Sequence, residues 1–240
     1  MAEQTANASS PFLDVLVDVD TQHDFCAPGG ALFVRGADGL SGAFGALTAA
    51  GVRRGAMILG SVDSHAFDAW EFAGAEGAGP GGERPGFPPH CVKGTAGWLK
   101  VPGTTAPRVR FLPNAPLASA ELDRVVTKGA PQQLLFEKEV YSLFANPNAE
   151  AVLERVVPAG ARPRFFVYGV ALDYCVRAAA LGLVDWLARR GAAGGEVLLV
   201  ADATASVVPE GGEKALAECA AKGVRTIPTS EALALLGGAS

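Results

Sequence analysis

The chain has 240 residues, of which 49% are hydrophobic and 19% charged, a balance that supports one substantial buried core and excludes an intrinsically disordered segment. Its formal net charge of −5 comes from interspersed acidic and basic residues, so no basic stripe is available to neutralise nucleic-acid phosphates. The opening run MAEQTANASSPF lacks a charged start followed by an apolar stretch, and four scattered cysteines, Cys26, Cys91, Cys175 and Cys219, form no CxxC pair. No segment reaches the roughly 18 uninterrupted apolar residues of a membrane span, so the expectation is a soluble cytoplasmic protein with reduced thiols.

Residues 1–11 read as a flexible tail and residues 12–240 as a single domain. The first apolar run, VLVDVD (15–20), reads as a strand. An alanine-rich segment from near Leu40 has the length and apolar spacing of a helix and leads into a second strand, AMILGSVD (56–63). Both strands end in an aspartate, Asp20 and Asp63. A Gly/Pro-rich stretch at about 73–116 follows. It is too long for an ordinary connection and is expected to be an active-site loop over one end of the sheet.

The pattern resumes with QLLFEK (133–138) and a helix from Asn148 to Val157, where Asn148 suits the N-cap. RFFVYGVA (164–171) then runs into LDYCVRAAALGLVDWLARRG. The apolar spacing of that segment, and its arginines before Gly191, mark a helix with a proper stop. Cys175 falls at or beside its start. VLLVAD (197–202), the helical EKALAECAAKG, a short VRTIP strand and a final helix from about Ser230 complete about six strands interleaved with helices. The alternation predicts a three-layer α/β/α fold with a central, mostly parallel sheet.

Ligands of such sheets bind beyond the carboxyl ends of the strands, and Asp20, Asp63, Lys138 and Cys175 all fall there. A cysteine at a helix start meets unpaired amides and the positive end of the helix dipole, which stabilise thiolate. The Asp20 carboxylate can accept the thiol proton, and the Lys138 ammonium can keep that carboxylate ionised and oriented. Lys128, in a Lys-Gly dipeptide, is the alternative lysine; it is followed by GAPQQ, which reads as a turn, whereas Lys138 ends an apolar strand. Asp63 and His65 form a DxH pair, and FPPHC (87–91) supplies His90. One carboxylate oxygen and two imidazoles suit a divalent metal, Zn2+ first and Fe2+ or Mn2+ as other fits, with positions left for water or substrate. His23 has the weaker claim to function. Glu71 reads as a solvated surface glutamate, with an added metal ligand as the alternative.

VDVDTQHDFCAPGGAL (17–32), FEKEVYSLFANPN (136–148) and VYGVALDYCVRAAALG (167–182), with DxH followed by PxHC, resemble the corresponding segments of isochorismatase-like cysteine hydrolases, in the nicotinamidase/pyrazinamidase-like branch. The resemblance runs from about Phe12 to the final helix. It implies Asp20 as general base, Lys138 as catalytic lysine and Cys175 as nucleophile. It further implies an oxyanion hole from the amides of Ala171 and Cys175, with a non-proline cis peptide between Val170 and Ala171. Asp63, His65 and His90 would hold a metal that binds the substrate's ring nitrogen, and Phe25, Phe87 and Tyr141 would wall a flat ring. The implied reaction releases ammonia from nicotinamide through a thioester on Cys175. Another small amide, carbamoyl or ureido compound is the alternative substrate, and a non-catalytic oligomeric binding member is the second alternative. The expected partners are a small-molecule amide and, from alanine-rich helical faces, further copies in a homo-oligomer. In one departure, DSHAFDAWEF (63–72) carries Ala69 and Glu71 where the family's DWHPxxHxSF pattern often has histidine and serine.

Overall fold

The structure, a computed structural model, describes residues 11–79, 82, 84–191 and 194–237. All of the expected tail except Pro11 lies outside the described residues. Seven parallel strands form one sheet: β1 (Phe12–Val19), β2 (Met57–Asp63), β3 (Val109–Leu112), β4 (Gln133–Lys138), β5 (Arg162–Val170), β6 (Glu196–Ala205) and β7 (Arg225–Ile227). Their order is β3-β4-β2-β1-β5-β6-β7, which puts β1 at the centre. From Asp14 onward every residue of β1 is buried, as a central parallel strand covered on both faces requires.

Seven strands replace the expected six. The additional one, β3, is four residues at the sheet edge inside the Gly/Pro-rich stretch, paired with β4. Four residues carry too little alternation to stand out from such surroundings.

Alternate residues of the strands feed two cores. On one face Leu16, Ile58, Phe166 and Leu198 meet Phe44 and Leu47 of α2 (Ser41–Arg54) and Ala232 and Leu236 of α7 (Thr229–Gly237). On the other, Val15, Val17, Phe136 and Phe165 are covered by α3 (Ser119–Thr127), α4 (Ala149–Val156), α5 (Arg177–Arg190) and α6 (Pro209–Ala221). Each fully buried Leu, Val or Phe contributes about 1.5–3 kcal/mol relative to exposure. A short helix α1 (His23–Cys26) follows β1. Among the described residues no helix is long and apolar enough to cross a membrane, and the four cysteines are buried and unbonded.

α5 stops at Gly191, in the left-handed conformation with φ 65°. Asn148 is the N-cap residue of α4, but its side chain makes no capping hydrogen bond. Its side chain accepts from the Leu117 amide and donates to the carbonyls of Pro113 and Ala115. The stronger demand came from a distant loop with buried backbone groups to satisfy.

The 73–116 stretch is pinned across the carboxyl ends of β1 and β2. Single bridges join Gln22 to Lys100, His65 to Val92 and Phe72 to Phe87, and the amides of His23 and Asp24 donate to the carbonyls of Leu99 and Gly97. Lys100 reaches inward to a buried ion pair with Asp18 on β1, 2.9 Å long, and donates to the Thr21 hydroxyl at 2.7 Å.

Candidate active site

β1 ends where Asp20 turns into the left-handed conformation, φ 48°, which aspartate enters more readily than most non-glycine residues. Its carboxylate is fully buried. One oxygen accepts from the Ser61 hydroxyl on β2 at 2.7 Å, and the other lies 2.8 Å from Lys138 Nζ at the end of β4. Lys138 is buried as well; its ammonium also donates to Asp63 at the end of β2 and stands 3.6 Å from Cys175 Sγ. Lys128, by contrast, is exposed at the end of α3.

Cys175 is delivered by β5. That strand approaches β1 so closely that a Cβ on Gly169, where φ is 122°, would lie 1.9 Å from the Val19 carbonyl oxygen. The Val170–Ala171 peptide is cis. Leu172–Val176 then form one wide π-helical turn before α5, and Cys175 lies buried within it.

Burial pushes the pKa of the Cys175 thiol well up, and the charges of Asp20 and Asp63 add to that against the opposing Lys138 ammonium. Asp20 is also raised, by burial and by Asp63, against Lys138. Lys138 itself is raised despite its burial, because Asp20, Asp63 and Cys175 face it. The ammonium is therefore firmly charged, and the thiol keeps its proton until a base takes it.

Asp63, His65 and His90 gather their ligand atoms within 4.8 Å of one another. Glu71, expected on the surface, is buried with them: one carboxylate oxygen lies 3.0 Å from His65 Nε2 and 3.1 Å from His90 Nε2. Asp63 Oδ2 lies 3.8 and 3.9 Å from the same nitrogens. Burial opposes protonation of His65, but the nearby carboxylates of Asp63 and Glu71 raise its pKa to about 9. Asp63 would be raised by burial, yet Lys138 and His65 bring it down to about 2. Glu71 follows the same logic, its burial overcome by the two imidazoles.

These residues fit a metal. Both His65 ring nitrogens and Glu71 Oε1 are buried without a well-formed hydrogen bond. His90 Nδ1 donates to the Pro88 carbonyl at 2.9 Å, which leaves Nε2 as the lone-pair nitrogen aimed at the cluster. Bonds of about 2.1 Å at tetrahedral angles separate ligands by about 3.4 Å, and the carboxylate-to-imidazole distances bracket that value.

A cavity of about 320 Å³ opens above both clusters. Asp63, Glu71, His90, Ala171 and Cys175 line it, as do Phe25, Phe87 and Tyr141. The rings of Phe25 and Phe87 lie 5.7 and 6.0 Å from that of His90. His23 does not line it.

Two positioning residues went unassigned in the sequence. Gln22 donates to the Asp63 carbonyl at 2.8 Å and to the Trp98 carbonyl at 3.0 Å, and accepts from the Asp63 amide at 2.8 Å. Asp24 accepts from the amides of Cys91, beside His90, and Ala31. Both stand in the DTQHDF run that follows β1, which is the signal that could have found them.

The chain matches the family model described as the isochorismatase domain over residues 14–231. No curated protein matches it. Among solved structures it is similar to the pyrazinamidase of Pyrococcus horikoshii in complex with zinc, with 26% identity over 90% of this chain and 99% of that one, at a TM-score of 0.65. It is similar to PnC1 of L. infantum in complex with nicotinate, with 25% identity over 90% and 93%, at 0.62. The nicotinamidase of Bacillus subtilis shares the fold at 24% identity over 90% and 99%, at 0.63.

Proposed function

The chain belongs to the isochorismatase family, and from that premise we propose that it is a metal-assisted cysteine amidohydrolase that releases ammonia from a small aromatic amide, nicotinamide first among them. The observation that carries the reading is the position of Lys138 Nζ, 2.8 Å from Asp20 and 3.6 Å from Cys175 Sγ, beneath a cavity that Asp63 and His90 also line. Similar proteins solved with zinc and with nicotinate support the same assignment.

In this reading Asp20 takes the proton of Cys175, and Lys138 holds the carboxylate in place. The thiolate attacks the amide carbonyl carbon. The amides of Ala171 and Cys175 face the resulting oxyanion, a form of stabilisation that strengthens as charge develops. Asp20 returns the proton to the departing ammonia, leaving a thioester. A water molecule, deprotonated by Asp20, then attacks that carbonyl, and the acid leaves as Sγ regains its proton. Asp63, His65 and His90, joined by Glu71, would hold the divalent metal. When bound, that ion would supply a Lewis-acid site for a ring nitrogen of the substrate. Phe25, Phe87 and Tyr141 would flank the ring.

The test is ammonia release from nicotinamide by the purified protein, with chelator and with added Zn2+ or Mn2+, beside Cys175→Ala. Metal-dependent release that vanishes in Cys175→Ala is expected. Bound metal without release under any condition would overturn the choice of nicotinamide.

A further inference from the structure

The cavity has a floor and a mouth of different chemistry. Its floor is buried and holds Asp63, His90 and Cys175. At its mouth stand Phe33, Tyr141, Tyr174 and Val207, exposed by 37%, 45%, 37% and 52%. The rings of Tyr141 and Tyr174 meet at 5.1 Å between centroids, tilted by 51°. About 320 Å³ enters the range that takes drug-sized ligands, so a single six-membered ring on the floor leaves the mouth unfilled.

A third acid lines the cavity. Glu139 follows Lys138 directly, is half-buried and lines the cavity. The two other acids of the lining are engaged: Asp63 accepts from Lys138, and Glu71 stands against both imidazoles. Among the described residues no hydrogen bond or ion pair engages the Glu139 carboxylate. Aromatic rings and an unpaired carboxylate lining one cavity are what an organic cation binds, through the ring quadrupole and through charge.

We infer that Glu139, with Tyr174, forms an outer subsite for a positively charged substituent, so that the preferred substrates are amides whose far side carries a protonated nitrogen. The inference rests on the amidohydrolase reading and deepens it. Glu139 is a specificity determinant and takes no part in bond making. The same carboxylate disfavours substrates whose far side is anionic.

The test uses three ring-substituted nicotinamides, carrying an aminomethyl, a methyl or a carboxylate group, with the zinc-loaded wild type and Glu139→Gln. The wild type should prefer them in that order by kcat/KM. In Glu139→Gln the aminomethyl-to-carboxylate ratio should fall about tenfold, as for one charge lost at a few ångströms in a partly screened site. Tyr174→Leu should weaken the aminomethyl compound and spare the methyl one. The same ratios are read as calorimetric affinities in Cys175→Ala and in Cys175→Ala/Glu139→Gln, which need no turnover. Ratios unmoved by Glu139→Gln, or no binding of any of the three, overturn the subsite. Turnover of nicotinamide with unmoved ratios leaves the amidohydrolase standing, whereas charge-graded binding without turnover of any amide retains the subsite and overturns the amidohydrolase.

Discussion

At the scale of single residues the site is governed by buried charges that are tolerable only together. Lys138 bridges the carboxylates of Asp20 and Asp63, and taking one partner from such a group costs about 3–5 kcal/mol because the remaining charges stay buried. Lys138→Ala should lose that much in urea denaturation and fall to background in ammonia release. Lys128→Ala, on the exposed end of α3, should change neither; loss of activity there with Lys138→Ala still active would reverse the assignment. Glu71 makes a second residue-scale prediction. Glu71→Gln keeps shape but removes one anion from the gathered ligands, so zinc affinity, read by competition with a chromogenic chelator, should fall at least about tenfold. Unchanged affinity would reduce Glu71 to a hydrogen-bond partner of the imidazoles. The sequence left Glu71 open between a surface glutamate and an added ligand, because its partners His65 and His90 meet it only in the folded site. Cys175 teaches the same lesson with opposite sign. Its helix-start position is legible in the sequence, whereas the burial that pushes its thiol up is a property of the assembled site.

At the scale of elements, the strand ends do the placing, and they were readable in advance. β1, β2, β4 and β5 are apolar runs whose last or next residue is Asp20, Asp63, Lys138 or the approach to Cys175, so parallel alignment alone brings these groups to one edge. The joints between elements were less legible. Gln22 lies in a motif that is plain in the sequence, yet its task of clamping the backbone of Asp63 on β2 depends on a partner 41 residues away. Gln22→Leu would strand the buried amide and carbonyl of Asp63, and each unpaired group costs about 1–3 kcal/mol. A lower midpoint in urea is expected, together with weaker zinc binding as Asp63 loosens. Weaker zinc binding without loss of stability would mean that Gln22 touches the metal site in some other way. Unmoved stability and affinity together would remove it from the frame.

At the scale of the whole molecule, the question is how a Gly/Pro-rich stretch as long as 73–116 presents Phe87 and His90 at fixed positions. Its length and composition announce a functional segment, but neither its anchor points nor β3 can be read from residues without periodicity. One deep anchor is the Lys100–Asp18 pair, with side chains 3% and 0% exposed, joining the segment to the central strand. Breaking such a pair from one side leaves an uncompensated buried charge, whereas replacing both partners by uncharged groups removes that penalty. Lys100→Met should therefore cost about 3–5 kcal/mol and weaken zinc binding, since the stretch that carries His90 loses its tie to β1. Asp18→Asn combined with Lys100→Met should recover most of the lost stability, because no charge is then stranded. The double-mutant cycle in urea decides between the two roles available to the pair. Strong non-additivity identifies a tie whose value lies in mutual compensation. Additive losses would show that each side chain acts through its other contacts, Lys100 through Thr21 and Asp18 through Thr21 and Gln133, and the anchoring of the segment would then rest on its backbone bridges.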